Sequence, residues 1–219
     1  MKEILIAPSI LSASFTYLEN ELDEVFKAGA KVLHYDVMDG HFVNNISFGS
    51  HILSTINTKH NLINDVHLMV TDPNKYIESF VKAKADSITV HYESFSNEID
   101  LINTINLIKS YGVKVGVAIK PKTKIDVLFN FIKDINLVLI MSVEPGFGGQ
   151  KFITESYKKI EDLQAFRKKK NLKFLIEVDG GVNDSNSHKL INLGCDILVC
   201  GSYIFNAANK EEAIRKLKE

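Results

Sequence analysis

Apolar residues along the chain fall into short continuous runs that are separated by longer amphipathic stretches. The runs are rich in β-branched residues and have the length of strands that are buried on both faces. Eight of them are found, at residues 4–10, 32–37, 62–70, 87–91, 113–119, 137–141, 174–178 and 197–200. Between them, apolar residues recur at intervals of three and four, as in amphipathic helices, at residues 17–28, 74–84, 98–110, 154–169 and 184–193.

This alternation of strands and helices predicts a parallel sheet of the α/β class. Eight such units in 219 residues favour a closed (β/α)8 TIM barrel over an open doubly wound sheet. An open sheet usually carries the motif GxGxxG after its first strand, whereas this chain has Pro8-Ser9-Ile10-Leu11 there. No linker or low-complexity segment divides the sequence. We therefore expect one domain over residues 1–219.

Polar residues stand at the ends of the predicted strands, where barrels of this kind keep their functional groups. His34 and Asp36 are two residues apart on the second strand and so point to the same side. The intervening apolar residues suit the helix-facing side, which places His34 and Asp36 inside the barrel. His67 on the third strand and Asp179 on the seventh can reach the same central volume.

These four residues form a mixed set of nitrogen and oxygen ligands. Two imidazoles and two carboxylates suit one divalent metal ion, either Zn²⁺, Fe²⁺, Mn²⁺ or Co²⁺. A single histidine of this kind is more often explained by a hydrogen bond inside the barrel. Four converging ligands favour a metal, because two buried carboxylates without partners would be costly.

Glycine-rich segments follow the sixth, seventh and eighth strands. Barrels bind phosphate at these positions, where backbone N–H groups and a helix N-terminus face the anion. Ser202 can donate a further hydrogen bond from its hydroxyl. We therefore expect phosphate to bind at Gly146-Phe147-Gly148-Gly149, Gly180-Gly181 and Gly201-Ser202.

Composition and charge narrow the range of partners. The chain has 26 Lys+Arg against 27 Asp+Glu, a formal net charge of −1, which argues against nucleic acid or an anionic membrane as a partner. No apolar stretch reaches the length of about 20 residues that spans a bilayer. Cys195 and Cys200 lie in apolar sequence without a redox or metal-binding spacing, which predicts two reduced thiols in a cytoplasmic protein.

Five segments resemble ribulose-phosphate 3-epimerases, and together they extend over essentially the whole chain in the family's order. They are APSILS at 7–12, HYDVMDGHFV at 34–43, HLMV at 67–70, SVEPGFGGQKF at 142–152 and VDGGV at 178–182. Two departures from the family's pattern are visible. Asn44 stands where proline is common, and Ser14 stands where aspartate is common. Neither is a predicted ligand.

The resemblance implies interconversion of D-ribulose 5-phosphate and D-xylulose 5-phosphate, a step of the pentose phosphate pathway, by inversion at C3. It implies that His34, Asp36, His67 and Asp179 hold the metal. By the same resemblance, Asp36 and Asp179 are the two acid/base groups, and Ser9 and His67 contact the sugar. We also expect a homo-oligomer, for which an exposed outer helix face suits a dimer and a hexamer equally.

Inversion at C3 is a reaction that a divalent metal and two carboxylates can catalyse. A proton next to a ketone is too weakly acidic to be removed at neutral pH unless the charge that develops is stabilised, which a divalent metal does as a Lewis acid. Inversion uses both faces of the carbon and so needs two acid/base groups. From the sequence alone, either aspartate can be the protonated one.

Three alternatives remain open at this stage. The first is a 3-epimerase of a hexulose 6-phosphate such as allulose 6-phosphate, which would share nearly all of these motifs. The second is a decarboxylase of the orotidine-phosphate type, which needs Asp-x-Lys-x-x-Asp, whereas Asp36-Val37-Met38-Asp39 contains no lysine. The third is a non-catalytic phosphosugar-binding barrel, in which at least one metal ligand should be missing.

Overall fold

Eight parallel strands form the wall of a barrel in the computed structural model, which describes residues 3–56 and 62–219. The strands are β1 (Leu5–Pro8), β2 (Val32–Met38), β3 (Ile63–Met69), β4 (Ser87–His91), β5 (Lys114–Ile119), β6 (Leu137–Met141), β7 (Leu175–Asp179) and β8 (Ile197–Cys200). Neighbouring strands pair in the order β1-β8-β7-β6-β5-β4-β3-β2. A single parallel bridge between Ser9 and His34 links β1 to β2. The predicted (β/α)8 barrel is confirmed.

Helices follow the strands and cover the outside of the wall. They are α1 (Leu18–Lys27), α2 (Ser50–Ile56), α3 (Asn74–Lys82), α4 (Glu98–Ser110), α5 (Ser156–Lys169), α6 (Asp184–Leu193), α7 (Ser202–Phe205) and α8 (Lys210–Lys218). Only two short 3₁₀ helices, Ile125–Leu128 and Ile132–Asp134, lie between β5 and β6. The five predicted helical stretches correspond to α1, α3, α4, α5 and α6, with ends that differ by at most two residues.

The alternation of side chains along each strand separates two environments. On β2, Leu33, Tyr35 and Val37 pack outward into the large apolar core between strands and helices. His34 and Asp36 point the other way, into the barrel, as the sequence predicts. All seven residues of β2 are buried, so the polar ones are buried as deeply as the apolar ones.

The interior of the barrel is itself divided. Strands β1, β5, β6 and β8 fill their side with small and branched apolar residues, among them Ala7, Ala118, Leu139 and Val199. Strands β2, β3, β4 and β7 instead contribute buried polar side chains: His34, Asp36, Asp65, His67, Ser87, Thr89, His91 and Glu177. This polar half contains the predicted metal ligands.

No helix among the described residues is both long enough and apolar enough to cross a membrane. The described residues form one barrel. The exact domain bounds, residues 1–219, stay a prediction.

Candidate active site

The four predicted metal ligands converge at the carboxyl ends of their strands. One ligand atom from each of His34, Asp36, His67 and Asp179 lies within 4.8 Å of the others. His34 Nε2 is 3.3 Å and His67 Nδ1 is 3.1 Å from the same oxygen, Asp36 Oδ1. Strand register produces this approach, since Asp36 on β2 lies directly beside His67 on β3, and Asp179 is the last residue of β7.

The chemistry of this cluster fits a divalent cation. His34 Nε2 is buried and has no hydrogen-bond partner among the described residues, although it faces a group of carboxylate oxygens. A bound cation would satisfy this atom. Imidazole nitrogen and carboxylate oxygen are ligands for Zn²⁺ and for the related divalent metals of the first transition row.

The two carboxylates of the cluster differ in their tendency to hold a proton. Burial alone would raise the pKa of Asp36, but its contacts with His34, and then with His67, hold its pKa well below the usual range. Burial, and then the negative charge of Asp36, raises the pKa of Asp179 to about 7. Asp179 is also the more exposed of the two, because it ends its strand beside the cavity.

Two further carboxylates lie below His34. Asp65 Oδ2 accepts a hydrogen bond from His34 Nδ1 at 2.7 Å, and Asp65 Oδ1 accepts one from the Ser87 hydroxyl. Glu177 Oε1 lies 3.6 Å from the same histidine nitrogen, and neither Glu177 oxygen has a hydrogen-bond partner among the described residues. Burial, and then the charge of Asp65, raises the pKa of Glu177 well above its ordinary value.

His67 is held differently, by a second imidazole. His67 Nε2 and His91 Nε2 are 2.9 Å apart, and His91 Nδ1 lies 3.2 Å from Glu93 Oε2. Burial lowers the pKa of His67, and burial lowers the pKa of His91 to about 4. Both rings are therefore neutral imidazoles at neutral pH.

A cavity opens above the carboxylates at the carboxyl end of the barrel. Ser9 lines it and donates a hydrogen bond from Oγ to Asp36 Oδ2 at 2.5 Å. The cavity also includes every residue of the predicted phosphate site: Gly146, Phe147, Gly148, Gly149, Gly180, Gly181, Gly201 and Ser202. His34 and His67 are fully buried behind Asp36 and do not line it, so the predicted contact of His67 with a sugar stays a prediction.

The segment after β6 is tied down at its base and exposed at its tip. Gln150 Nε2 donates to the backbone oxygens of Glu144 at 2.7 Å and Phe147 at 2.8 Å. Asn45, from the loop after β2, donates to the Gly146 oxygen at 2.8 Å. The Phe147 side chain is 57% exposed at the cavity edge. Side chains thus fix the ends of this loop while its aromatic residue faces solvent.

Two glycines after β7 are required by the backbone. Gly180 and Gly181 have φ angles of +118° and +64°, in a region that side chains rarely allow. A Cβ atom at Gly181 would also lie 2.6 Å from the Phe152 backbone nitrogen. The chain can therefore turn sharply after Asp179 and bring backbone to the cavity wall.

Sequence reasoning missed the residues that support the ligands. Asp65 and Glu177 each precede a predicted ligand by two residues. His91 is the last residue of β4, and Glu93 follows that strand. Spacing by two was the available signal, because it places Asp65 with His67 and Glu177 with Asp179 on the inner face. The link between His67 and His91 crosses strands diagonally, and only the three-dimensional structure reveals it.

Solved structures share the barrel at low sequence identity. A chain named KGPDC from Streptococcus mutans aligns with a TM-score of 0.71 and 13% identity, covering 98% of this chain and 95% of that one. A 3-hexulose-6-phosphate synthase from Salmonella typhimurium aligns with a TM-score of 0.69 and 19% identity, covering 100% and 97%. Similarity at this level supports the fold alone.

Sequence comparison is more specific. The model of the ribulose-phosphate 3 epimerase family matches residues 5–205. The ribulose-phosphate 3-epimerase of Bacillus subtilis is 44% identical over 216 residues, covering 98% of both chains. The ribulose-5-phosphate-3-epimerase of Arabidopsis thaliana chloroplasts is also 44% identical, covering 99% of this chain and 76% of that protein. Because the family model matches most of this chain, the chain belongs to the ribulose-phosphate 3-epimerase family.

Proposed function

We propose that this protein interconverts D-ribulose 5-phosphate and D-xylulose 5-phosphate by inverting the configuration at C3. One observation carries the proposal: Asp36 and Asp179 face a single cavity from two non-adjacent strands of the barrel, β2 and β7. Inversion requires one group to remove a proton and another to deliver one from a different side. Family membership and the relatives' names agree with this reaction.

In this proposal, each aspartate acts as acid in one direction and as base in the other. The Ser9 hydroxyl donates to Asp36 Oδ2 and so orients that carboxylate toward the cavity. The position of Asp179 at the end of β7, just before Gly180, leaves its side chain accessible from the cavity. Positioned acid/base groups of this kind each contribute about 10²–10⁴-fold to a rate.

One divalent cation would be held by His34, Asp36, His67 and Asp179. When bound, it supplies Lewis-acid stabilisation of the negative charge that develops as the C3 proton leaves. The surrounding side chains limit access of water. Met38, Met69 and Met141 line the cavity beside the carboxylates and are buried, so they form an apolar wall around the reacting part of the substrate.

The phosphate would bind at the glycine-rich segments around Gly146, Gly180 and Gly201, which line the same cavity as the carboxylates. Backbone N–H groups there can hold an anion without a positively charged side chain, which suits a chain of net charge −1. The predicted homo-oligomer and cytoplasmic location stay predictions.

The competing function is epimerisation of a hexulose 6-phosphate. A coupled assay of the metal-loaded protein with D-ribulose 5-phosphate and with allulose 6-phosphate separates the two, and we expect the larger kcat/KM for the pentulose. In D₂O, the product should carry deuterium at C3, because a two-base reaction delivers a solvent-derived proton. A larger kcat/KM for the hexulose would favour the competing function. Binding of both sugars without turnover would favour a non-catalytic barrel.

A further inference from the structure

A chain of hydrogen bonds runs from the ligand cluster to the rim of the barrel. It begins at His67 Nε2, passes through the His91 ring and ends at Glu93, with separations of 2.9 Å and 3.2 Å. His91 is completely buried and does not line the cavity, so it has no direct access to a substrate. Its polar contacts are with His67 on one side and Glu93 on the other.

Glu93 is a fixed end point for this chain. Its second oxygen, Oε1, accepts hydrogen bonds from the Lys120 backbone N–H at 2.8 Å and from the Thr123 hydroxyl. The same turn is held from outside by Lys159, whose Nζ donates to the backbone oxygens of Lys120 at 3.0 Å and Thr123 at 2.5 Å. The carboxylate thus has little freedom to turn away from His91.

The Glu93 carboxylate favours one distribution of protons over the two rings. An ionised carboxylate only accepts hydrogen bonds, so a neutral His91 must carry its proton on Nδ1. His91 Nε2 is then an acceptor, and the proton that it accepts is the one on His67 Nε2. This leaves His67 Nδ1 free to bind a cation in the ligand cluster, where it lies 3.1 Å from Asp36 Oδ1. Without a cation, the Asp36 carboxylate also only accepts hydrogen bonds and favours a proton on the same atom, so the two carboxylates compete.

We propose that His91 and Glu93 are positioning residues that hold His67 in the tautomer and ring orientation required for binding the divalent cation. The assignment rests on the metal site of the proposed function. Its general basis is that the second nitrogen of a ligating histidine is normally held by an acceptor, whose loss typically costs about 10–100-fold in metal affinity. The unusual feature is that the acceptor is a second histidine, whose own tautomer is favoured by the Glu93 carboxylate at the rim.

Aromatic contacts support the same arrangement. The rings of His67 and His91 meet edge to edge, with centroids 5.0 Å apart and planes 29° apart, and the Phe42 ring lies against His91 with its centroid at 4.8 Å. Lys120 Nζ lies 3.9 Å from the centre of the Phe42 ring and completes the cover. His91 is therefore held in position by packing, while Glu93 selects its tautomer.

Glu93→Gln is the most specific test, because it keeps the size of the side chain. If the amide oxygen stays with the Lys120 N–H and the Thr123 hydroxyl, the amide NH₂ group faces His91 Nδ1 and opposes its proton. If the amide turns over, the NH₂ group faces the Lys120 N–H instead. One hydrogen bond is lost in either case, so we expect Zn²⁺ and Co²⁺ to bind about 10–100-fold more weakly.

Two substitutions at His91 separate hydrogen bonding from packing. His91→Phe keeps an aromatic ring against Phe42 but has no acceptor for His67 Nε2–H, so it should weaken metal binding at least as much as Glu93→Gln. His91→Gln places an amide oxygen near the position of Nε2 and should recover much of the affinity. Thr89→Val is the matched control, since Thr89 is buried on the same strand and its hydroxyl has no partner among the described residues.

Metal affinity is measured by competition with a chromophoric chelator, and the absorption spectrum of the Co²⁺-loaded protein reports the ligand geometry. In addition, ¹⁵N NMR of histidine-labelled, Zn²⁺-loaded protein should place the His91 proton on Nδ1. A proton on His91 Nε2, or equal metal affinities in folded wild-type, Glu93→Gln and His91→Phe proteins, would overturn the assignment. A wild-type protein that binds no cation would instead overturn the metal site of the proposed function.

Discussion

The two histidines of the ligand cluster are alike on one side and different on the other. His34 and His67 are both fully buried, and each directs one nitrogen at Asp36 Oδ1. The other nitrogen of His34 meets the carboxylate of Asp65 directly, whereas that of His67 meets a neutral ring and reaches a carboxylate only through it. The barrel therefore supports two equivalent ligands in two ways.

Strand register explains this difference. His34 lies directly beside Asp65 in the pairing of β2 with β3, so a short carboxylate side chain can reach its ring. The residue beside His67 in the pairing of β3 with β4 is Thr89, whose hydroxyl forms no hydrogen bond with the described residues. His67 instead uses His91, two residues further along β4, which has the length to reach it. The nearest carboxylate, Glu93, lies beyond the end of that strand.

The consequence is a difference in charge. Burial would lower the pKa of His34, but the negative charge of Asp36, together with its contacts with Asp65 and Glu177, raises it well above its ordinary value. His67 has fewer acidic neighbours, and burial lowers its pKa. Direct support by a carboxylate thus makes His34 a more basic ligand, while indirect support controls the tautomer of His67 without adding charge beside it.

Removing the group that both histidines face should produce the largest effect. We expect Asp36→Asn to reduce kcat by about 10²–10⁴-fold through the loss of acid/base catalysis, and to weaken metal binding in addition. Asp179→Asn should lose activity to a similar degree. Circular dichroism should show an intact fold, and Asp72→Asn, in a surface ion pair with Lys75, provides the control. Near-native turnover in either active-site variant would contradict the two-carboxylate reaction.

Removing the cation should be the next most severe change. Dialysis against a strong chelator should lower activity by about 10³-fold, since Lewis-acid stabilisation contributes several kcal/mol. Adding Zn²⁺, Fe²⁺, Mn²⁺ or Co²⁺ should restore it. Metal content is measured by elemental analysis in the same samples. Unchanged activity in protein shown to be free of metal would exclude the Lewis acid.

The sequence predicted the ligands better than their support, for physical reasons. Alternation along β2 places His34 and Asp36 on the inner face, and that rule follows from the covalent geometry of any strand. The role of His91 depends on which residues lie across and diagonally between β3 and β4. Register between β3 and β4 is set by the packing of the whole barrel and not by either strand's own sequence, so local pattern could not show that His67 reaches past Thr89.

The direct support of His34 can be broken by Asp65→Asn. The Ser87 hydroxyl can keep its bond to the amide oxygen, which turns the amide NH₂ group toward His34 Nδ1 and favours the wrong tautomer. We expect metal affinity to fall by about 10–100-fold and the free energy of unfolding by about 1–3 kcal/mol. Both are measured by chelator competition and urea denaturation.

The control for Asp65→Asn is a second buried aspartate at a distance from the metal ligands. Asp196 accepts hydrogen bonds from Arg167 at 2.5 Å and from the Ile176 backbone N–H at 2.7 Å. Asp196→Asn should lower stability to a similar extent and leave metal affinity unchanged. Equal losses of metal affinity in both variants would mean that Asp65 acts only through stability.

Glu177→Gln should produce the smallest effect, although Glu177 is as deeply buried as Asp65. Neither Glu177 oxygen has a hydrogen-bond partner among the described residues, and an ionised carboxylate in such a place would be costly. Because burial and the charge of Asp65 raise its pKa, Glu177 favours the neutral acid, which glutamine matches in size and charge. Metal affinity should therefore change by less than about threefold, far less than the loss expected in Asp65→Asn. A tenfold or larger loss in Glu177→Gln, measured by the same chelator competition, would mean that both carboxylates support His34 and that its direct support is shared.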